Sequence, residues 1–335
     1  MIRSPGEAEA VVHAIRDAGH LLVTGSGPDL RPLTRSKLNA TPDIAGVVIV
    51  GGYGVVPSEA LNALPRELAG ARIPELDGFM VWSDDGYGDR DADITPEVPV
   101  SRLPDAGSAS FLWTLLGNTG LRTPAASSGI RNQERPFADA VYGLLPNRAA
   151  FHISAPVPGG ATPPFPLGGD LLYLMLHGDH DDATVFSGED PATGSLTTAL
   201  RVEDVPGPCP KVVFAGCCWG ALIVDELALQ RPAGTSARTP ASSIALRCLE
   251  NGANAFVGCT GAHYSPDYPD ADNYGGPMHR LFWNEILAGR PAAMALFHAK
   301  IKYAQSIPER VGTRKSARAL EHKILRQFTC LGLGW

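Results

Sequence analysis

Short apolar runs recur along this 335-residue chain, and amphipathic stretches separate them: Leu21–Thr24, Gly46–Val50, Phe79–Trp82, Ala150–Ile153, Leu171–Leu176, Lys211–Ala215 and Ala253–Gly258. Runs of this length read as buried strands, because a strand covered on both faces carries no polar alternation. The stretches between them predict helices over Gly6–Asp17, Ser58–Ala69, Ser108–Leu116, Arg135–Leu145, Ala221–Gln230, Ala241–Glu250 and Met278–Ala288. Strands alternating with helices fold most simply into a mostly parallel sheet with helices on both faces. Further helices are expected from Pro291 to Ala299 and from Ser316 to Phe328, the second with Arg314, Lys315, Arg318, Lys323 and Arg326 on a solvated face. The Pro/Gly-rich segments Leu121–Gly129, Ala155–Gly169 and Gln230–Pro240 read as loops, and Arg231 and Arg238 in the last are candidate processing sites.

A formal net charge of -7 without any Lys/Arg block excludes a general nucleic-acid surface. No apolar run reaches the roughly 20 residues a membrane span requires. The segment Met1–His20 is interrupted by Glu7, Glu9, Arg16 and Asp17, unlike the apolar core of a secretory signal. Six cysteines at Cys209, Cys217, Cys218, Cys248, Cys259 and Cys330 include no CxxC pair. These features predict a reduced, cytoplasmic protein with neither nucleic acid nor membrane as partner.

Two of the apolar runs end in chemically capable residues. LLYLML is followed by His177-Gly178, and KVVFA by Gly216-Cys217-Cys218-Trp219-Gly220. Catalysts gather at the carboxyl ends of parallel strands, so the two ends are placed to form a Cys/His dyad. In such a dyad a thiolate attacks a carbonyl while imidazole manages the proton. Gly178 and Cys217 offer backbone N–H groups for an oxyanion hole, a contribution of ~2.7–4 kcal/mol per donor in enzymes that use one. A helix starting near Gly220 would add its N-terminal dipole and favour thiolate.

With these residues in view, the chain resembles the gingipain-like cysteine peptidases of the caspase–haemoglobinase clan, whose pattern is an apolar run ending in His-Gly and a second ending in a small residue and the nucleophilic Cys. The resemblance runs from about Gly46 to Ala304 and includes VVIVGGYGVVPSEA, VWSDDGYGDRDADITPEVPVSRLPDA and ALRCLENGANAFVGCTGAHYSP. Ser101 and Cys218-Trp219 depart from it. It implies a caspase-like three-layer α/β sandwich, divided at residues 1–130 and 131–335. The implied activity is intracellular cysteine endopeptidase, with Cys217 as nucleophile and His177 as general acid/base. Gly220, three positions after Cys217, favours that cysteine over Cys218. Clan members are commonly zymogens or need an activating protein partner, and the substrate is protein or peptide.

The same resemblance places Tyr264, in the loop Thr260–Pro266, on the wall of the substrate pocket, and the pocket floor just before Pro136. Glu134 at that floor selects Arg or Lys, whereas Arg131 selects Asp or Glu, because a buried charge requires its counterpart. Arg/Lys is narrowly preferred. Asp89, Asp91 and Asp93 alternate as in a calcium loop, but Ile94 stands where an EF-hand needs glycine, so a solvated acidic turn competes with a calcium site. No cofactor is required. Two other readings compete: a metal-dependent hydrolase using His177, Asp179 and His180, and a catalytically silent scaffold of caspase-like fold.

Overall fold

The computed structural model describes residues 13, 16–17, 19–25, 27–93, 95–118, 120, 123–157, 159–266, 268 and 272–335; most of the helix expected over Gly6–Asp17, and Ile94, lie outside them. The chain is an α/β structure around an eight-stranded, mostly parallel sheet. In chain order its strands are β1 (Val47–Val50), β4 (Val100–Leu103), β5 (Ser127–Asn132), β6 (Arg148–Ser154), β7 (Leu171–Met175), β10 (Val212–Ala215), β11 (Ala255–Cys259) and β12 (Phe328–Gly332). Two antiparallel pairs flank it, β2 (Glu59–Asn62) with β3 (Met80–Ser83) and β8 (Val185–Glu189) with β9 (Leu196–Arg201).

The spatial order is β1-β4-β12-β11-β10-β7-β5-β6. β6, β5, β7, β10 and β11 run parallel, β12 runs antiparallel to β11, and β4 and β1 follow the direction of β12. The carboxyl ends of β5, β7, β10 and β11 therefore share one edge, which is where both suspected strand ends lie. One sheet spans the expected division at 130/131, and β5 itself crosses it.

Two apolar cores sit on the two faces of this sheet. Leu172, Leu174, Val213 and Ala215 pack on one side with helices α2 (Ala109–Gly117) and α4 (Ile244–Glu250). Leu171, Tyr173, Val212 and Phe214 pack on the other with α3 (Phe137–Tyr142), α5 (Gly275–Leu287), α6 (Ala292–Val311) and α7 (Lys315–Gln327). Alternate residues of β7 and β10 thus face opposite cores, as the two-residue period of a strand requires. Ser108 and Ser243 start α2 and α4 by accepting the N–H of Phe111 and Leu246. A further helix, α1 (Leu30–Ala40), buries Leu30, Thr34 and Leu38 at its i, i+4, i+8 positions.

Several expectations are overturned. Leu21–Thr24 has no regular structure, and the helix expected over Ser58–Ala69 is strand β2 followed by a 3-10 turn at Arg66–Leu68, with Pro65 between them. Ala221–Gln230 forms turns, a bridge between Val224 and Ala237 and a 3-10 turn, because Ala221–Val224 are buried in the first core and pair with the returning chain instead of with themselves. β5 begins inside an expected loop; its serines are buried because Ser127 donates to Pro146 O at 2.8 Å and Ser128 to Gly168 O at 2.7 Å. Lys323, expected on a solvated face, is fully buried.

Arg102 on β4 is also fully buried, and every part of its guanidinium is engaged. Nε and Nη2 fork onto Asp84 at 2.7 and 2.6 Å, Nη1 donates to Gly51 O and Val56 O, and the group lies over the Tyr53 ring. Asp84→Ala leaves this charge buried without its partner, so it should destabilise the fold by about 3–5 kcal/mol in a denaturant titration. An unchanged midpoint would show that the pair does not hold the β3–β4 region together.

Candidate active site

His177 follows β7 and is fixed through its backbone, which exchanges two hydrogen bonds with Ser187 at 2.7 and 3.0 Å. Its Nε2 lies 2.9 Å from Glu189 Oε2 and 2.8 Å from Asn132 Nδ2. The Asn132 amide is oriented by the N–H groups of Glu134 and Glu189, both of which donate to Oδ1. Glu189 accepts and the Asn132 amide donates, so Nε2 serves one of them at a time; the contact with the carboxylate is the stronger and favours the proton on Nε2, leaving Nδ1 unprotonated. The tautomer is thus assigned from the bonding set. Neither Glu189 nor Asn132 was singled out in the sequence: they reach His177 through the β8 hairpin and the end of β5, and no local motif marks them.

Past β10, Gly216 N–H continues the ladder by donating to Leu174 O at 2.8 Å. Gly216 admits no side chain, since a Cβ there would collide with the His279 ring and lie 2.8 Å from Met175 Sδ. Cys217 then turns into the first core with no exposed surface, and a Cβ on Gly220 would stand 3.1 Å from the Cys217 Cβ and 3.6 Å from Phe186 Cζ. Cys218 is half-buried on the other side of the turn, its Sγ accepting the His263 N–H at 3.2 Å. Trp219 is held in the left-handed region at φ 50°, unusual for a large side chain. Its N–H donates to Gly261 O and its Nε1 to Asp77 Oδ1 at 3.2 Å, while Asp77 Oδ2 accepts the Ala262 N–H at 2.6 Å. The two strand ends abut, because a Cβ on Gly178 would overlap the Cys218 carbonyl oxygen.

Burial pushes the Cys217 thiol far above its ordinary pKa. Burial also raises Cys218, against the opposing pull of the His263 N–H and of Lys323. The helix expected at Gly220 is absent, so no helix dipole offsets the cost of charging either sulfur. Both thiols therefore rest protonated, and nucleophilic chemistry here needs a base. Beneath the turn His279 Nε2 lies 3.1 Å from His263 Nε2, and its Nδ1 2.8 Å from the Tyr173 hydroxyl. Burial lowers both imidazoles well below the usual histidine value, so this pair is neutral packing.

The expected pocket residues lie on the same edge. Tyr264 donates to Glu75 Oε1 at 2.7 Å and packs against Lys323, whose Nζ bridges Glu75 and Asp77. Arg131 forks onto Asp139 at 2.7 and 3.0 Å and donates to the carbonyls of Asn132 and Gln133, which satisfies its charge within the fold. Glu134 is half-buried, and its carboxylate makes no ion pair among the described residues. Arg238 is buried and donates to Leu222 O and His180 O, so cleavage after it would require the loop to open first.

Among the described residues, two clusters have ligand atoms within 4.8 Å of one another: Asp89, Asp91, Asp93 and Glu97, and Asp179, His180 and Asp181. In the first, Asp89 already pairs with Arg35 at 3.0 Å and caps the N–H groups of Asp91 and Ala92. In the second, His180 Nδ1 lies 2.8 Å from Asp181 and its ring meets Trp219 edge-on. His177 is not a member of that cluster.

Compared with known proteins, the chain matches no family model, and no curated protein sequence is significantly similar to it. Gly178→Ala forces the two turns apart at a backbone oxygen and should cost on the order of 1–3 kcal/mol in thermal melting. An unchanged Tm would mean that the turns do not meet as described.

Proposed function

We propose that the chain is a cysteine endopeptidase of the caspase-like, gingipain-like kind, with its nucleophile in the Gly216–Gly220 turn and His177 as general acid/base. The observation that carries this reading is the backbone contact between Gly178 and Cys218, which brings a histidine held by Glu189 against a turn carrying two thiols. His177 takes the thiol proton at Nδ1, the sulfur attacks the scissile carbonyl, and the imidazolium returns the proton to the leaving amine. Glu189 stabilises the imidazolium through Nε2–H. Water then hydrolyses the thioester with His177 as base. N–H groups at Gly178 and in the cysteine turn are the candidate donors to the developing oxyanion.

The arrangement of five parallel strands joined to antiparallel β12, with histidine after β7 and cysteines after the adjacent β10, supports a caspase-like architecture. The acidic, Lys/Arg-poor composition fits a peptide substrate better than a polyanion. A preference for Arg or Lys before the scissile bond is supported by Arg131 being consumed by Asp139 while the Glu134 carboxylate makes no ion pair among the described residues. The metal-hydrolase alternative loses support because His177 is engaged by Glu189 and Asn132, apart from Asp179 and His180.

A positional-scanning peptide library tests this directly. Wild type should cleave after Arg or Lys, unaffected by EDTA, and the His177→Ala and Cys217→Ala/Cys218→Ala proteins should lose at least 100-fold in rate, as expected when a nucleophile or its base is removed. Cleavage that survives both changes, or that chelation abolishes, would refute the peptidase reading. A preference for Asp or Glu would reverse the assigned charge.

A further inference from the structure

We infer that Cys218, and not Cys217, is the thiol that attacks the substrate, an inference that rests on the peptidase reading above and assigns its nucleophile. Spacing to Gly220 favours Cys217, but the direction in which each side chain leaves the strand decides otherwise. Along β10 the residues alternate between the two cores, with Val213 and Ala215 in the first and Val212 and Phe214 in the second. Cys217 continues the first set. It has no exposed surface, its Cβ faces the space beside Gly220 and Phe186, and it packs among the apolar residues of that core. A substrate carbonyl has no route to this sulfur without opening the core.

Cys218 is placed differently in three respects. It is the partly exposed member of the pair, and its carbonyl abuts Gly178, directly after the base. Its sulfur receives the His263 N–H at 3.2 Å, a donor that supports negative charge on sulfur as the proton departs. The turn that presents it is held rigid from outside, because Trp219 keeps its left-handed backbone through Gly261 and through Asp77, a residue 142 positions away. Strained backbone of this kind persists only where surrounding structure enforces it, and it concentrates at functional sites. Cys217 then has a packing role, as a small apolar residue under the turn.

In the reaction, the Cys218 S–H proton passes to His177 and a C–S bond forms as the carbonyl opens. The C–N bond then breaks, and the amine leaves with the proton from His177.

A peptidyl chloromethyl ketone reports on this step, since sulfur displaces chloride to leave a thioether. After reaction with the intact protein, tandem mass spectrometry of the peptide spanning 211–238 should find the adduct on Cys218. Labelling should vanish in Cys218→Ala without moving to Cys217, and slow at least 100-fold in His177→Ala. Cys218→Ser, nearly isosteric with the native residue, should retain the wild-type Tm and still resist labelling, which separates chemistry from folding. An adduct on Cys217, or continued hydrolysis by Cys218→Ala, would overturn this assignment while leaving the peptidase reading intact. A wild-type protein that neither labels nor hydrolyses would overturn both.

Discussion

The site depends on the parallel pairing of β7 with β10. Leu174 stands opposite Ala215 in that ladder, and Gly216 N–H extends it by one bond to Leu174 O. This register decides that the residues after Met175 and after Ala215 emerge together at one edge. A slip of one position would invert which side chains face each core, sending Cys217 outward and Cys218 inward. Because both faces are packed with apolar residues, such a slip would expose Phe214 and Tyr173 to the wrong surroundings, so the register is strongly specified.

Around this ladder the chain builds a rigid frame from buried polar groups. Asp77 accepts from Trp219 and Ala262 while pairing with Lys323, and Lys323 also meets Glu75, which in turn binds Tyr264. One ammonium bridges two carboxylates here, and the N–H groups of Asp77 and Phe79 add donors to Glu75, so every buried charge keeps hydrogen-bonded partners, which is the condition under which buried charge is tolerated. Asn132 plays a similar part on the other flank: its oxygen holds two backbone N–H groups and its amide faces His177. His177 and the thiol turn are therefore positioned by largely separate sets of interactions that meet where Gly178 touches Cys218 and where the His180 ring meets Trp219.

Much of this was legible in the sequence, for identifiable reasons. Strands such as LLYLM and VVFA are continuous apolar runs, as buried parallel strands must be, and each ends in a residue that cannot extend the run. SSGIRN was not legible as β5, because its burial depends on hydroxyl and guanidinium partners contributed from Pro146, Gly168 and Asp139. Spacing brought His177 and the cysteine pair forward, but not which cysteine turns outward, since that follows from strand register and not from composition. Glu189, Asn132 and Asp77 lie 12, 45 and 142 residues from the side chains they orient and carry no motif. The mistaken helix over Ala221–Gln230 shows the same limit: its apolar residues have helical spacing but are consumed by core packing and a bridge to Ala237.

The most direct test of the account is a crystal structure of the protein after reaction with a peptidyl chloromethyl ketone carrying Arg or Lys beside the reactive group. The account predicts a thioether in the Gly216–Gly220 turn, the inhibitor oxygen directed at backbone N–H groups of that turn and of Gly178, and His177 within hydrogen-bond reach of the adduct while still joined to Glu189. An adduct at any other nucleophile, or His177 turned away from the modified sulfur, would contradict it.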